Sequence, residues 1–226
     1  VKNNKASHSY MFVGTEGIGK KLIAKEFAKM ILCTDENKYC GKCKSCIEFE
    51  SSNNPDFKII EPDGNSLKIE QIREFQNKVS EKPIISNRKV YIINDSDKMT
   101  IEAQNCLLKT LEEPPEFVTI ILIGSNESAF LDTIKSRCMI LRFNKISDEN
   151  IVKFLEENFQ TKVNSQSMLE AFQGSIGKAI QLQDKQEECE QIENVIINLE
   201  KRDKNDSMYL KKYLTAFKEL RYYKLC

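Results

Sequence analysis

Two stretches of this sequence combine residue types and spacings that could do chemistry. The first is cysteine-rich. Cys33, Cys40, Cys43 and Cys46 follow one another as C-x6-C-x2-C-x2-C. Four thiolates this close, with Gly41 easing the turn, match a tetrahedral structural zinc site. All four coordination positions would be filled by protein, so such a zinc would be structural. Ordinary zinc ribbons use two separated C-x2-C pairs, which makes the compact triplet plus one distinctive. Reduced thiols without metal and an iron–sulfur cluster are the competing readings of the same four residues. Cys106, Cys138, Cys189 and Cys226 are scattered and read as packed or incidental.

The second stretch is Gly14-Thr15-Glu16-Gly17-Ile18-Gly19-Lys20-Lys21, nearly the phosphate loop G-x-x-x-x-G-K-[ST]. It follows the apolar run Tyr10-Met11-Phe12-Val13 and opens a helical pattern, the strand–loop–helix context such a loop requires. Glycines let the backbone wrap a phosphate, while Lys20 and the helix N-terminus supply positive field. The last position departs from the pattern. Lys21 stands where a hydroxyl would hold Mg²⁺, and an ammonium cannot ligate a cation. A second departure falls after the apolar run Val90-Tyr91-Ile92-Ile93, where a phosphate-loop ATPase places Asp-Glu. Here Asn94-Asp95 puts an amide for the metal-coordinating carboxylate and a shorter acid for the usual base. Two losses at one metal predict a loop that holds phosphate weakly and does not hydrolyse it. ATP or ADP in the loop is left open, and Mg²⁺ is not expected.

The elements that must position these residues alternate. Helical spacing covers about 20–32, 44–51, the set Ile69, Ile72, Phe75, Gln76 and Val79, and a segment from Thr100 through Ala103, Leu107, Leu108 and Leu111. Pro114-Pro115 stops that last helix. Between them, Tyr10–Val13, Asp56–Ile60, Val90–Ile93, Phe117–Ile123 and Met139–Phe143 are short, near-continuously apolar runs, as in a strand buried on both faces. Strands alternating with helices predict an α/β fold with a doubly wound parallel sheet. Beyond Phe143 the pattern turns helical.

Composition fits a soluble chain. Its 226 residues suffice for one large domain plus a smaller one, and Lys+Arg and Asp+Glu balance at 34 each, so no global basic signature for nucleic acid exists. No apolar run reaches membrane-spanning length and no signal pattern opens the chain. A cytoplasmic protein with reduced or metal-bound cysteines is expected. Because the chain opens at Val1, a piece of a longer protein is expected as well. His8, the only histidine, reads as a surface or packing residue. Lys201-Arg202-Asp203-Lys204 reads as a solvated loop.

Taken together, the phosphate loop, the four cysteines, the helix end Leu107-Leu108-Lys109-Thr110-Leu111-Glu112-Glu113-Pro114-Pro115 and Ser136-Arg137-Cys138 resemble the AAA+ subunits of the bacterial DNA polymerase III clamp loader. The resemblance covers roughly residues 6–185. The tau/gamma branch of that family keeps an intact phosphate loop and Asp-Glu; Lys21, Asn94 and Asp95 depart in the direction of the delta-prime branch. The resemblance implies an AAA+ domain over 1–145 with a zinc module at 33–46 inserted, and a helical lid over 146–185. Residues 186–226 would begin a helical collar, longer in the family than the stretch present here. It implies that Arg137 acts in trans as an arginine finger on a neighbouring subunit's nucleotide. Tau/gamma and delta subunits, a sliding clamp and primed DNA are the implied partners. Lys98 and Thr100 lie where related subunits face DNA phosphates, although a helix cap explains Thr100 equally well. Active relatives carry a nucleotide-sensing arginine near Gly177, where this chain has Gly177-Lys178. The implied function is a non-hydrolysing clamp-loader subunit. The alternative is a tau/gamma-like ATPase that hydrolyses ATP itself.

Overall fold

The structure is a computed structural model and describes residues 7–36, 39–159, 169 and 171–182. The chain divides into two compact units, residues 1–144 and 145–226. The collar reading at 186–226, and Cys189 and Cys226 with it, lies outside the described residues.

The first unit contains β1 (Ser9–Val13), α1 (Lys20–Leu32), α2 (Lys44–Glu50), β2 (Phe57–Ile60) and α3 (Ile69–Val79). It continues with β3 (Lys89–Ile93), α4 (Ile101–Glu112), β4 (Val118–Gly124), α5 (Asp132–Lys135) and β5 (Met139–Arg142). The five strands form one sheet in the order β2-β3-β4-β1-β5, every pair parallel. Side chains on a strand alternate between faces, and here each face feeds its own core. Met11, Val13, Tyr91, Ile93, Ile120 and Leu122 point into the layer built with α3 and α4 through Ile72, Phe75, Ala103 and Leu107. Tyr10, Phe12, Val90, Ile92, Ile121 and Ile123 point into the layer built with α1 through Ala24, Ala28 and Leu32. That double demand explains why the central strands read as unbroken apolar runs. The edge strands β2 and β5 are only partly covered.

Helix α3 is tied to α4 by Gln76, whose amide donates to the carbonyl of Cys106 (2.7 Å) and the hydroxyl of Thr110 (3.0 Å). Gln104, buried on α4, donates to the carbonyl of Ala129 (2.9 Å) and accepts from the amide of Leu131 (2.9 Å). It thereby fixes the segment that leads into α5.

The expected second strand starts one residue later than its pattern suggests, at Phe57, although Asp56 still reaches the ladder, its carbonyl accepting from the amide of Val90 at 2.8 Å. Its buried carboxylate accepts three backbone N–H bonds, from Ile84, Ile85 and Ser86, each at 2.7 Å. This holds the loop after Pro83 against the start of β2. The remaining boundaries agree with the sequence pattern to within about two residues, the usual uncertainty of helix and strand ends.

In the second unit, α6 (Asp148–Phe159) and a helical stretch over 176–182 share a small core of Ile151, Leu155, Phe172 and Ala179. Ser175 begins the second of these, its hydroxyl accepting from the amide of Lys178 at 3.1 Å. Gly177 and Lys178 thus lie in the first turn of that helix. Among the described residues no helix is long and apolar enough to cross a membrane.

Removing the Asp56 carboxylate strands three amide donors, at about 1–3 kcal/mol for each one left unpaired. Asp56→Ala is expected to lower stability by about 4 kcal/mol, and Asp56→Asn, which keeps an acceptor, by less. Urea unfolding of the full chain checks this; a loss below about 1 kcal/mol for the alanine variant would contradict it.

Candidate functional site

In an all-parallel sheet the carboxyl ends of the strands share one edge, where α/β proteins bind ligands. Here that edge collects the loop after β1, Glu61 after β2, Asn94 and Asp95 after β3, and Ser125 and Asn126 after β4.

The loop after β1 is constrained at its glycines. A side chain at Gly14 would drive a Cβ to 2.6 Å from the carbonyl oxygen of Phe143, so only hydrogen fits. Gly19, the cap of α1, is left-handed (φ 92°, ψ 10°), a conformation that L side chains rarely adopt. The Lys20 ammonium is buried and folds back into the loop, donating to the carbonyls of Gly14 (2.5 Å) and Thr15 (2.8 Å). Burial lowers its pKa; Asp97, Glu16 and Asp95 partly counter this through their charge.

Lys21, where the phosphate-loop pattern has a hydroxyl, does not sit idle. It forms an ion pair with Glu61, a partner that sequence spacing gave no reason to suspect across 40 positions. An ammonium and its carboxylate now occupy the neighbourhood of the missing hydroxyl. Across the edge, Asn94 donates its backbone N–H to the carbonyl of Ile60 (2.9 Å). Asp95 adopts a left-handed conformation (φ 47°) and its carboxylate pairs with Lys98 at 2.9 Å. Asp97 is the residue that reaches across. It accepts from the amides of Ser125 and Asn126, both at 3.0 Å, and joins the ends of β3 and β4. Nothing in the motif pointed to it, since the signal lies in where the 3-10 turn Ser96–Lys98 swings the chain.

The two residues with a resemblance to DNA-facing positions have local partners. Thr100 caps α4, accepting from the amide of Ala103 at 3.2 Å, and Lys98 is the partner of Asp95.

The four cysteines come together. Their sulfur atoms all lie within 4.8 Å of one another, with Cys33–Cys40 at 3.6 Å and Cys33–Cys43 at 3.9 Å. A tetrahedron with metal–sulfur bonds of about 2.3 Å has sulfur–sulfur edges of about 3.8 Å, whereas a disulfide would bring two sulfurs to about 2.05 Å. The donor set fits a four-thiolate metal site. Its placement is helix-based: Cys33 caps the end of α1, Cys43 caps the start of α2, and Cys46 sits in the first turn of α2. Burial opposes ionisation of Cys43, yet hydrogen bonds from Thr34 and Cys46 outweigh it and bring the thiol down to about 6. Burial pushes Cys46 up to about 12, with Cys43 and Cys33 adding to the rise. Neighbouring thiolates repel, and a cation among them removes that conflict.

The cysteine module is fastened to the sheet by buried polar contacts. Ser45 of α2 meets Ser86 hydroxyl to hydroxyl at 2.8 Å, and Asn54 donates to both the carbonyl (2.9 Å) and the hydroxyl (3.0 Å) of Ser45. Asn54 also accepts from the amide of Asp56 at 2.9 Å, which connects the module to the carboxylate-held loop. On the other side Lys29, buried on α1, pairs with Glu50 and lies 4.5 Å from the centre of the Tyr39 ring.

Arg137 lies just past α5, where its guanidinium meets three acceptors of its own chain. Nη2 pairs with Glu112 at 2.7 Å; Nη1 donates to the carbonyl of Thr133 at 2.8 Å and to the hydroxyl of Ser136 at 3.3 Å. Cys138 beside it is largely buried, which pushes its thiol up to about 12.

A five-stranded parallel α/β domain with a phosphate-loop turn and an inserted four-cysteine module defines the class. A family profile described as "DNA polymerase III, delta subunit" matches residues 1–147. The chain belongs to that family of clamp-loader subunits. It is 34% identical over 197 residues to DNA polymerase III subunit delta′ of Bacillus subtilis, covering 87% of this chain and 60% of that one. It is 35% identical over 193 residues to the tau/gamma subunit of Haemophilus influenzae, covering 81% and 28%. The delta′ subunit of Pseudomonas aeruginosa is 34% identical over 137 residues, covering 59% and 42%. The chain therefore spans less than two thirds of the length of each of these relatives.

With Lys21 paired to Glu61 and an amide at Asn94, Mg²⁺ is expected to tighten nucleotide binding less than tenfold, or about 1.4 kcal/mol. Lys21→Thr together with Asn94→Asp restores a hydroxyl and a carboxylate, and should raise the Mg²⁺ effect above tenfold. Calorimetric titration with and without Mg²⁺ decides; a hundredfold effect in the unaltered chain would contradict the reading.

Proposed function

We propose that this chain is a delta-prime-type, non-hydrolysing AAA+ subunit of a cytoplasmic DNA polymerase III clamp loader. In this reading it lends Arg137 to the nucleotide of a neighbouring subunit. The observation that carries the reading is a contrast within one domain. The metal-binding positions of its own loop are lost twice, at Lys21, paired with Glu61, and at Asn94. The arginine of Ser136-Arg137-Cys138 is retained and held in place. A fixed planar charge suits the charge that spreads over the oxygens of a transferring phosphoryl group. Tau/gamma and delta subunits, a sliding clamp and primed DNA are the partners this function requires. In this reading residues 146–185 would be the lid, and the collar reading at 186–226 falls outside the described residues. Lys98 and Thr100 remain the candidates for phosphate contact with DNA.

Zinc is the metal we assign to Cys33, Cys40, Cys43 and Cys46, in a structural role. Four thiolates with no open position supply folding energy and no catalytic water. Iron in a sulfide cluster would use the same ligands, and metal analysis separates the two.

A tau/gamma-like ATPase is the second reading, favoured by the 35% identity to the Haemophilus influenzae subunit and by the carboxylates of Asp95 and Asp97 on the loop edge. Steady-state turnover by the chain alone near 1 s⁻¹, the low end of ordinary enzymes, would establish it and remove the first.

Two outcomes are expected. Metal analysis of the purified chain should return one zinc per chain, and Cys43→Ser should lose most of it. Hydrogen exchange should then quicken over 33–52 while the sheet stays protected; iron with sulfide, or no metal, refutes the assignment. Arg137→Ala should leave folding and assembly intact but lower the DNA- and clamp-stimulated ATPase and clamp loading of the reconstituted complex. Arginine fingers are worth roughly 10³–10⁵ in rate in GTPases, and one finger among several sites in a complex yields a smaller total. Unchanged hydrolysis and loading would remove Arg137 from that role.

A further inference from the structure

We infer that Glu112 is a positioning residue for Arg137, setting the direction in which the guanidinium is presented; this rests on the arginine-finger reading above. Both residues are anchored by buried neighbours on an adjoining helix, Glu112 at the end of α4 and Arg137 just past α5. Glu112 is the last residue of α4, one position after Leu111, which is buried in the core with Leu107. The helix can go no further, because Pro114-Pro115 follows and the intervening Glu113 has already left helical geometry (φ −127°, ψ 64°). Arg137 follows α5, whose Ile134 is fully buried in the same core, and its own amide donates to the carbonyl of Ile134 at 3.1 Å. The carboxylate and the guanidinium therefore meet at 2.7 Å from two bases that cannot drift independently.

Stability does not explain the contact. The side chains are 34% and 49% exposed, and ion pairs in such settings contribute about 0–1 kcal/mol. Its effect is geometric. A guanidinium has five N–H donors in a rigid fork. Glu112, the Thr133 carbonyl and the Ser136 hydroxyl engage at most three, on Nη1 and Nη2. The Nε–H and at least one further N–H are left for a phosphoryl oxygen. Without Glu112 the carbonyl of Thr133 and the hydroxyl of Ser136 hold only Nη1, and the plane can swing about that side. A group acting on the transition state is sensitive to such misplacement, and about 1 Å can cost a hundredfold. An effect of this kind falls on kcat, since the ground-state contacts to nucleotide are made by the neighbouring subunit.

The test uses the reconstituted complex and the full chain by itself. In the complex, Glu112→Ala should lower the stimulated kcat about tenfold with the KM for ATP unchanged. Glu112→Gln, which keeps an acceptor oxygen in place, should recover most of that loss. Glu112→Ala combined with Arg137→Ala should be no slower than Arg137→Ala. In the chain alone, nitrogen NMR should find restricted Nη rotation at Arg137, freed by Glu112→Ala. Normal turnover with Glu112→Ala, where Arg137→Ala is slow, overturns this inference and leaves the finger standing. Normal turnover with both variants overturns the finger and the inference together. A double variant slower than Arg137→Ala, or Arg137 signals indifferent to Glu112→Ala, shows that Glu112 acts elsewhere and also overturns it.

Discussion

Parallel pairing of β1, β3 and β4 is the constraint from which the rest of this chain follows. Three central strands buried on both faces must alternate their side chains between two cores, so Met11 and Val13 serve one layer while Tyr10 and Phe12 serve the other. Parallel pairing then delivers every strand's carboxyl end to one edge. Residues far apart in sequence, from Gly14 to Asn126, become neighbours because the hydrogen-bonded ladder leaves no other arrangement. The chemistry of that edge is decided by which side chains the loops beyond the strands carry, and here they carry an ammonium, an amide and carboxylates already engaged by partners.

The cysteine module depends on the same framework at one remove. Its ligands are set by the end of α1 and the start of α2, and α2 is fastened through Ser45 and Asn54 to the loop that Asp56 holds. The four-cysteine cluster is thus grafted onto a scaffold whose attachment points are themselves buried and hydrogen-bonded. Such networks specify geometry more than they add energy, because each member must find its partner for the others to be satisfied.

The sequence made much of this legible where period and chemistry coincide. Strands buried on both faces announce themselves as apolar runs, and four cysteines within fourteen positions, Cys33 to Cys46, can reach one metal with little help from the fold. Departures from a phosphate-loop pattern are equally visible in the letters, as Lys21 and Asn94 show. Hidden from that view were the partners supplied by long-range folding. Glu61 belongs to Lys21, Asp97 to the amides of Ser125 and Asn126, and Glu112 to Arg137. No periodicity encodes such pairs, since each joins residues from different elements. The three amides that the Asp56 carboxylate serves were equally hidden, because the residue type carries no mark of them.

The Lys21–Glu61 pair has a consequence for how this loop can change over time. Restoring a hydroxyl at position 21 alone would leave Glu61, about half exposed, without its ammonium partner. With Asn94 still an amide, no bound cation would offset that charge. Changing Asn94 alone to a carboxylate would leave the Lys21–Glu61 pair intact. Positions 21 and 94 therefore have to change together before a hydroxyl and a carboxylate are both present, as an ordinary phosphate loop requires.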